Sequence, residues 1–191
     1  MIGDMGRWEP NARGRLEQAA LDLFSERGFD ATTVKEIAER AGLTERTFFR
    51  HFADKREVLF GSSPLQESLV TALDAGPDTV APIDAIAVAL RVTADLLQER
   101  RELARRRQAI IDAHTELQER ELIKLASLSS ALADALRRRG VAEPAASLAA
   151  EAGIAVFKIA FVRWVNESNR QDLPELVQDA LDELKAVTAG K

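Results

Sequence analysis

The stretch Thr32–Lys55, TTVKEIAERAGLTERTFFRHFADK, decides the fold. Thr33-Val-Lys-Glu36 is a capping box: the threonine hydroxyl and the glutamate carboxylate satisfy orphan N–H groups at a helix start. Val34, Ile37, Ala38 and Ala41 then recur with the spacing of one inward helical face. Gly42 turns the chain, Leu43 plugs the turn, and Thr44 caps a second short helix whose inward residues are Phe48 and Phe52. Two short capped helices around a tight glycine turn form the layout of a helix-turn-helix that reads DNA. A helix of about seven residues is about 10 Å long, and it fits a major groove about 12 Å wide.

With Phe48 and Phe52 held inside, the opposite face presents Glu45, Arg46, Phe49 and Arg50. Arg46, near the helix start, is placed for base edges, and guanine O6/N7 is the commonest arginine target. Thr44, Thr47, His51 and Lys55 suit backbone phosphates, as does the start of the preceding helix around Thr33 and Lys35. Taken singly, each reads better as an ordinary cap or a solvated charge. The ordered combination of caps, glycine turn, aromatic plug and basic outer face carries the DNA reading.

Working outward, Asn11 caps a first helix with Leu16, Ala19, Ala20, Leu23 and Phe24 on one face, stopped by a left-handed Gly28 with Phe29 folding back. Asp54-Lys-Arg-Glu57 is a further capping box, opening a helix through Val58 and Leu59 and on to Leu73. GPDTVAP (76–82) is the clearest break. Helices follow from about Ile83 to Gln98, then through QERRELARRRQ into Ile110 and Ile111, and from Thr115 to Arg139 with Leu117, Leu125, Leu128, Leu132 and Leu136 inward, ended by Gly140. An apolar helix starts at Glu143-Pro144, and a last one repeats Leu173, Leu176, Val177, Ala180, Leu181, Leu184 and Val187. The expectation is an all-α protein of about nine helices: a three-helix domain over 10–56 and a larger helical domain over 57–191.

Composition supports this. The 191 residues suffice for a sizeable core, and Ala, Leu, Arg and Glu, good helix formers, dominate. Cysteine is absent, so no disulfide framework or thiolate metal site is expected. No cofactor is expected either. His114 has no ligand-type partner, and there is no phosphate loop or paired metal motif to support a helical enzyme. The opening MIGDMGRWEPNARGR has no apolar core of a secretory signal. Ala145–Val165 is apolar almost all round but carries Glu151, Lys158 and Arg163, which are costly in a bilayer. It reads as a core or interface helix of a cytoplasmic protein with no membrane partner. The net charge of −5 argues weakly against nucleic acid, and the first 62 residues, with ten Lys/Arg against eleven Asp/Glu, do not reverse that. Between Arg46 and Arg56, however, four cations face Asp54 alone, and screening over roughly 8–10 Å makes that local field the relevant one.

The segments AA-LDLF-ERGF (19–29), TTVKEIAERAGL (32–43) and TERTFFRHFADKREVL (44–59) resemble the tetracycline-repressor (TetR) family of regulators. The resemblance implies a ligand-responsive DNA-binding repressor, with the larger domain serving ligand binding and dimerisation. It implies a homodimer on a palindromic double-stranded operator, with the residues matching Thr47, His51 and Lys55 on phosphates and the helix holding Glu45 and Arg46 on bases. At Phe49 the family usually has tyrosine, whose hydroxyl reaches a phosphate. Phe49 cannot donate that bond and instead suits a sugar or a thymine methyl.

The family also places two C-terminal helices in a dimeric four-helix interface, a role that suits 143–167 and 173–187. RRRQAIIDAHTEL (105–117) and Trp164 resemble members taking acyl-CoA-like ligands. This implies a small hydrophobic effector, acyl-CoA-like, with Arg105, Arg106 and Arg107 near its phosphates and Arg106, Phe157, Phe161 and Trp164 lining its pocket. Read from the residues alone, the arginines fit a solvated helix face better, and the aromatics at helical spacing fit a core. Two other readings are a helical enzyme and a ligand-free DNA organiser or protein-binding module, the latter favoured by a solid C-terminal core.

Overall fold

The structure, a computed structural model, describes residues 11–60, 64–77, 80–166 and 168–189. Helices account for its regular structure, and no strand occurs among the described residues. The chain divides into two compact units, Met1–Gly61 and Ser62–Lys191.

The first unit holds α1 (Ala12–Arg27), α2 (Val34–Arg40), α3 (Glu45–His51) and α4 (Glu57–Phe60). Asn11 accepts from the Gly14 N–H at 3.1 Å to open α1. Gly28 ends it, and the Phe29 ring returns edge-on to Phe24, centroids 5.0 Å apart. α1 packs on α2, α3 and α4, and its buried Leu16, Ala20, Leu23 and Phe24 join Ile37, Phe48 and Phe52 in the interior. Asp54 accepts from the N–H groups of Arg56 at 2.8 Å and Glu57 at 3.0 Å, which opens α4. Val58, Leu59 and Phe60 are buried and α4 packs on α1, so residues 57–60 go with the first unit rather than with the second as the sequence reading had them.

The second unit holds α5 (Pro64–Ala75), α6 (Pro82–Gln98), α7 (Arg101–Asp112), α8 (Thr115–Arg138), α9 (Ala145–Val165) and α10 (Leu173–Thr188). The helix expected to run to Leu73 is thus described as α4 and α5, with residues 61–63 outside the described set. The opening residues 1–10, Asp78 and Thr79 of the break, and Glu167 at the end of the expected interface helix also lie outside it. Ten helical segments result, nine of them longer than the single turn of α4.

α9 sits centrally, packing against α6, α7, α8 and α10. Its Ala146, Ala150, Ile154, Phe157, Ala160 and Trp164 are buried with Ile86 and Leu90 of α6, Leu132 and Leu136 of α8, and Leu176 and Leu181 of α10. The Arg101 guanidinium closes the end of α9, donating to the carbonyls of Trp164 (2.9 Å), Asn166 (3.0 Å) and Asn169 (2.9 Å). α9 is also the one helix among the described residues long and apolar enough to cross a membrane. Part of its apolar surface stays uncovered by its own chain: Leu148, Ile159 and Val162 are each more than half exposed.

Candidate nucleic-acid interface

α2 begins as its sequence dictates. The Thr33 hydroxyl accepts from the Glu36 N–H at 3.3 Å, and the Glu36 carboxylate accepts from the Thr33 N–H at 2.9 Å. The end of α2 is a Schellman turn: Leu43 N–H donates to Ala38 O at 2.8 Å, Gly42 N–H donates to Glu39 O at 2.9 Å, and Gly42 holds φ +66°. From α1, the Arg15 guanidinium donates to the Ala41 carbonyl and braces this turn. Thr44 opens α3 by accepting from the Thr47 N–H at 3.2 Å.

Phe48 is 0 % and Phe52 3 % exposed, their rings 5.5 Å apart. That anchoring rotates the rest of α3 outward. Arg46, Thr47, Phe49 and Arg50 line one shallow concavity on the surface. Phe49 is 55 % exposed and meets Phe48 edge-on at 5.5 Å, so an exposed apolar ring shares this concavity with two arginines. Among the described residues, Arg46 and Arg50 have no ion-pair or hydrogen-bond partner. Glu45, exposed in the first turn of α3, lies at the positive end of the helix dipole.

The other expected phosphate residues are placed differently from one another. Thr33 and Lys35 are exposed at the start of α2, with Lys35 only 3.9 Å from Glu39. Thr44 and Thr47 share a hydroxyl contact of 3.1 Å at the start of α3. His51 is half-buried and its Nε2 is enclosed without a partner, so it meets a phosphate only if the ring turns outward. Lys55 has partners within the chain: its ammonium donates to the carbonyls of Phe29, Asp30 and Thr32. Arg56 pairs with Asp54 at 2.9 Å. Of the four cations read from sequence, Arg46 and Arg50 are the two without a partner among the described residues.

Around them, exposed ion pairs tie the helices together. Arg40 binds Glu26 through two bonds of 2.8 and 2.9 Å, and Arg27 binds Glu36 at 2.8 Å. Hydrogen bonds from the Thr33 backbone and hydroxyl, helped by Arg27, hold the Glu36 carboxyl below the usual carboxylate range, and Arg40 does the same to Glu26.

In the second unit, Phe157 and Trp164 belong to the core and Phe161 packs against it, with ring centroids 5.7 Å (157–161) and 5.6 Å (161–164) apart. Trp164 is wholly buried, yet its indole N–H has no hydrogen-bond partner. Arg106 stands half-buried on α7. The neighbouring arginines pair within the chain: Arg105 with Glu102 at 3.0 Å and Arg107 with Glu121 at 3.3 Å, where Gln108 also binds Glu121 at 3.1 Å. Burial lowers the Arg107 guanidinium pKa and Glu121 opposes the shift; an arginine keeps its charge regardless. The segment is therefore not the freely solvated face expected of it. Nothing in its sequence pointed to Glu121, fourteen residues on, as a partner. His114 stands just before α8 without capping it through its side chain, and its ring turns back to the Ile110 carbonyl at 2.8 Å.

Comparison with known proteins follows this division. Residues 17–60 match the family described as bacterial regulatory proteins, tetR family, and residues 80–189 match the MftR C-terminal domain. The transcriptional regulator TcmR of Streptomyces glaucescens is 42% identical over 80 residues, 41% of this chain and 35% of that protein. The transcriptional repressor KstR2 of Mycobacterium tuberculosis is 45% identical over 47 residues, 25% of this chain and 24% of that protein. The chain thus spans about a third or less of the curated relatives it matches. Among solved structures, the triclosan complex of SmeT, a Stenotrophomonas maltophilia efflux-pump repressor, superposes with TM-score 0.65 at 23% identity, covering 93% of this chain and 91% of that one. The fatty acid degradation regulator FadR of Bacillus halodurans gives 0.55 at 19%, covering 94% and 97%. Both likenesses are of fold.

Proposed function

Because the chain belongs to the TetR family of bacterial regulatory proteins, we propose that it is a ligand-responsive transcriptional repressor acting as a homodimer on a palindromic operator. The observation that carries this reading is the outer face of α3: two unpartnered arginines and an exposed aromatic ring in one concavity, on a helix anchored by two buried phenylalanines. Arg46 reads a base edge and Arg50 holds the backbone. Phe49 lies against sugar or a thymine methyl.

The dimer reading rests on α9. Leu148, Ala152, Ala155, Ile159 and Val162 recur at alternating spacings of four and three, the seam of a helix pair, and the central alanines allow close approach. In α10 the apolar residues are mostly consumed within the unit, with Val187 left exposed, so α10 flanks the seam rather than forming it. Two paired heads match half-sites about 34–36 Å apart, or a multiple of one turn.

The effector proposed is small and apolar, of the acyl-CoA type. Its support is the aromatic series Phe157, Phe161 and Trp164, whose buried indole N–H would be satisfied by an acceptor atom. An effector can act only through its differential affinity for the two states of the protein. Such a regulator works in the cytoplasm and needs no catalytic group.

Selection from a random 30-base-pair duplex pool tests the core of the proposal. A palindromic consensus should emerge, and octanoyl- to palmitoyl-CoA should release it. Recovery of no consensus, or of a single half-site, would overturn the operator reading; release by none of the thioesters would overturn the effector class.

A further inference from the structure

The uncovered face of α9 carries charges as well as apolar side chains. Glu151 and Lys158 are exposed, and they stand two turns apart on one flank of the row Leu148, Ala152, Ala155, Ile159 and Val162. The Glu151 carboxylate is oriented by its own chain. The hydroxyl of Ser129 on α8, itself buried, donates to its Oε1 at 2.7 Å, and the second oxygen remains able to accept from a cation. Lys158 has no ion-pair or hydrogen-bond partner among the described residues. The two do not pair within one helix, whose rise over that interval, about 10 Å, separates them. The row also has a direction. In a parallel pair, Ile159 meets its own copy and Ala152 its own, a crowded layer beside an empty one, and Lys158 comes beside the partner's Arg163. Ala155 lies midway between the two ends of the row. With the pair turned antiparallel about it, Ile159 covers the partner's Ala152, Leu148 meets the partner's Val162, and Glu151 meets the partner's Lys158.

We propose that α9 pairs antiparallel with α9 of a second copy of this chain, with the two-fold axis at Ala155 and Glu151 of each copy binding Lys158 of the other. Exposed ion pairs add little affinity. Like charges in the same place are costly, however, so these residues fix the register and select an identical partner over one with another order of charges. The two-fold axis makes the contact reciprocal, each copy supplying both halves. The inference rests on the homodimer proposed above and assigns the register and the charges of that same seam.

The chain contains no cysteine, so introduced ones report the geometry. Helix axes about 8–10 Å apart, with Cα atoms about 2.3 Å from each axis, bring facing Cα atoms within reach of a disulfide. Under mild oxidation of the full-length protein, Ala155→Cys should form a covalent dimer. Leu148→Cys and Val162→Cys should each fail to cross-link alone, and the variant carrying both changes should cross-link. A covalent dimer of either single variant would mean a parallel pair and overturn the proposal. So would the absence of an Ala155→Cys cross-link in a protein that sediments as a dimer. The charges are tested by exchange. Glu151→Lys and Lys158→Glu should each raise the dimer dissociation constant about tenfold or more, a change of about 1.4 kcal/mol, with circular dichroism unchanged. An equimolar mixture of the two should recover the wild-type constant as a heterodimer, visible by native mass spectrometry, because opposite charges then face each other across the seam. No loss in either variant, or no recovery in the mixture, would defeat the ion pair. If the wild-type protein sediments as a monomer at every concentration, the homodimer reading fails as well, an outcome distinct from a dimer cross-linked in another register.

Discussion

The Cγ2 methyl of Ile86 on α6 occupies the space that a Cβ on Gly153 of α9 would need. Both residues are buried, and α6 and α9 approach closely there. Gly153→Ala should therefore destabilise by about 1–3 kcal/mol through overpacking, despite the roughly 1 kcal/mol that alanine gains over glycine in a helix. Paired with Ile86→Ala, the loss should be less than the sum of the two single changes. Urea denaturation of the four proteins measures this, and strict additivity would contradict the contact.

Thr44→Ala removes the acceptor for the Thr47 N–H at the start of α3. The expected cost is about 1 kcal/mol, confined to the smaller unit. It should appear as faster amide exchange across α3 with little change in α9; equal acceleration in both would mean the two units do not open separately.

The Glu36 carboxyl, held below its ordinary range chiefly by the Thr33 backbone and hydroxyl, favours the folded state when ionised. That contribution is complete above the unfolded carboxylate pKa of about 4.3 and is lost as pH falls through the lower folded value. Glu36→Gln should thus melt below the wild-type protein at pH 7, with the gap closing as pH falls below the ordinary carboxylate value of about 4.3. A gap that grows on acidification would show the opposite sign of linkage.

Arg46→Ala should relax preference at one base step by about 1–3 kcal/mol. Arg50→Ala should weaken all duplexes alike and lower the salt slope by about 0.9 per head. Arg56, paired with Asp54, should leave the slope nearly unchanged when replaced by alanine. Salt titrations on selected and mismatched duplexes separate the three. Identical profiles for Arg46→Ala and Arg50→Ala would dissolve the division between base and backbone.

Ile159→Asp places a charge in the exposed α9 seam. Sedimentation should then show the monomer mass with helicity retained, and cooperative operator binding should disappear. A dimer that survives this change would move the interface elsewhere.

Much of the smaller unit was legible in the chain. The Thr33 capping box, the Gly42 turn, the Thr44 cap and the inward Phe48 and Phe52 all depend on residues within five positions of one another, and each is present as read. The end of the unit was misplaced by a few residues because α4 belongs with α1 through burial of Val58, Leu59 and Phe60, which composition does not reveal.

Local propensity and hydrophobic spacing, acting over a single helical turn, fixed the all-α architecture and the face of α3 that turns outward. Tertiary structure alone decided which charges remain available to a partner. Lys55 is claimed by carbonyls more than twenty residues away, Arg101 by the end of α9, and Arg107 by Glu121, while Arg46 and Arg50 are left for a partner. The physical reason is that a hydrogen-bonding group near an interior satisfies itself with whatever acceptor the fold brings within about 3 Å, and that proximity is a property of the packed chain rather than of any stretch of it.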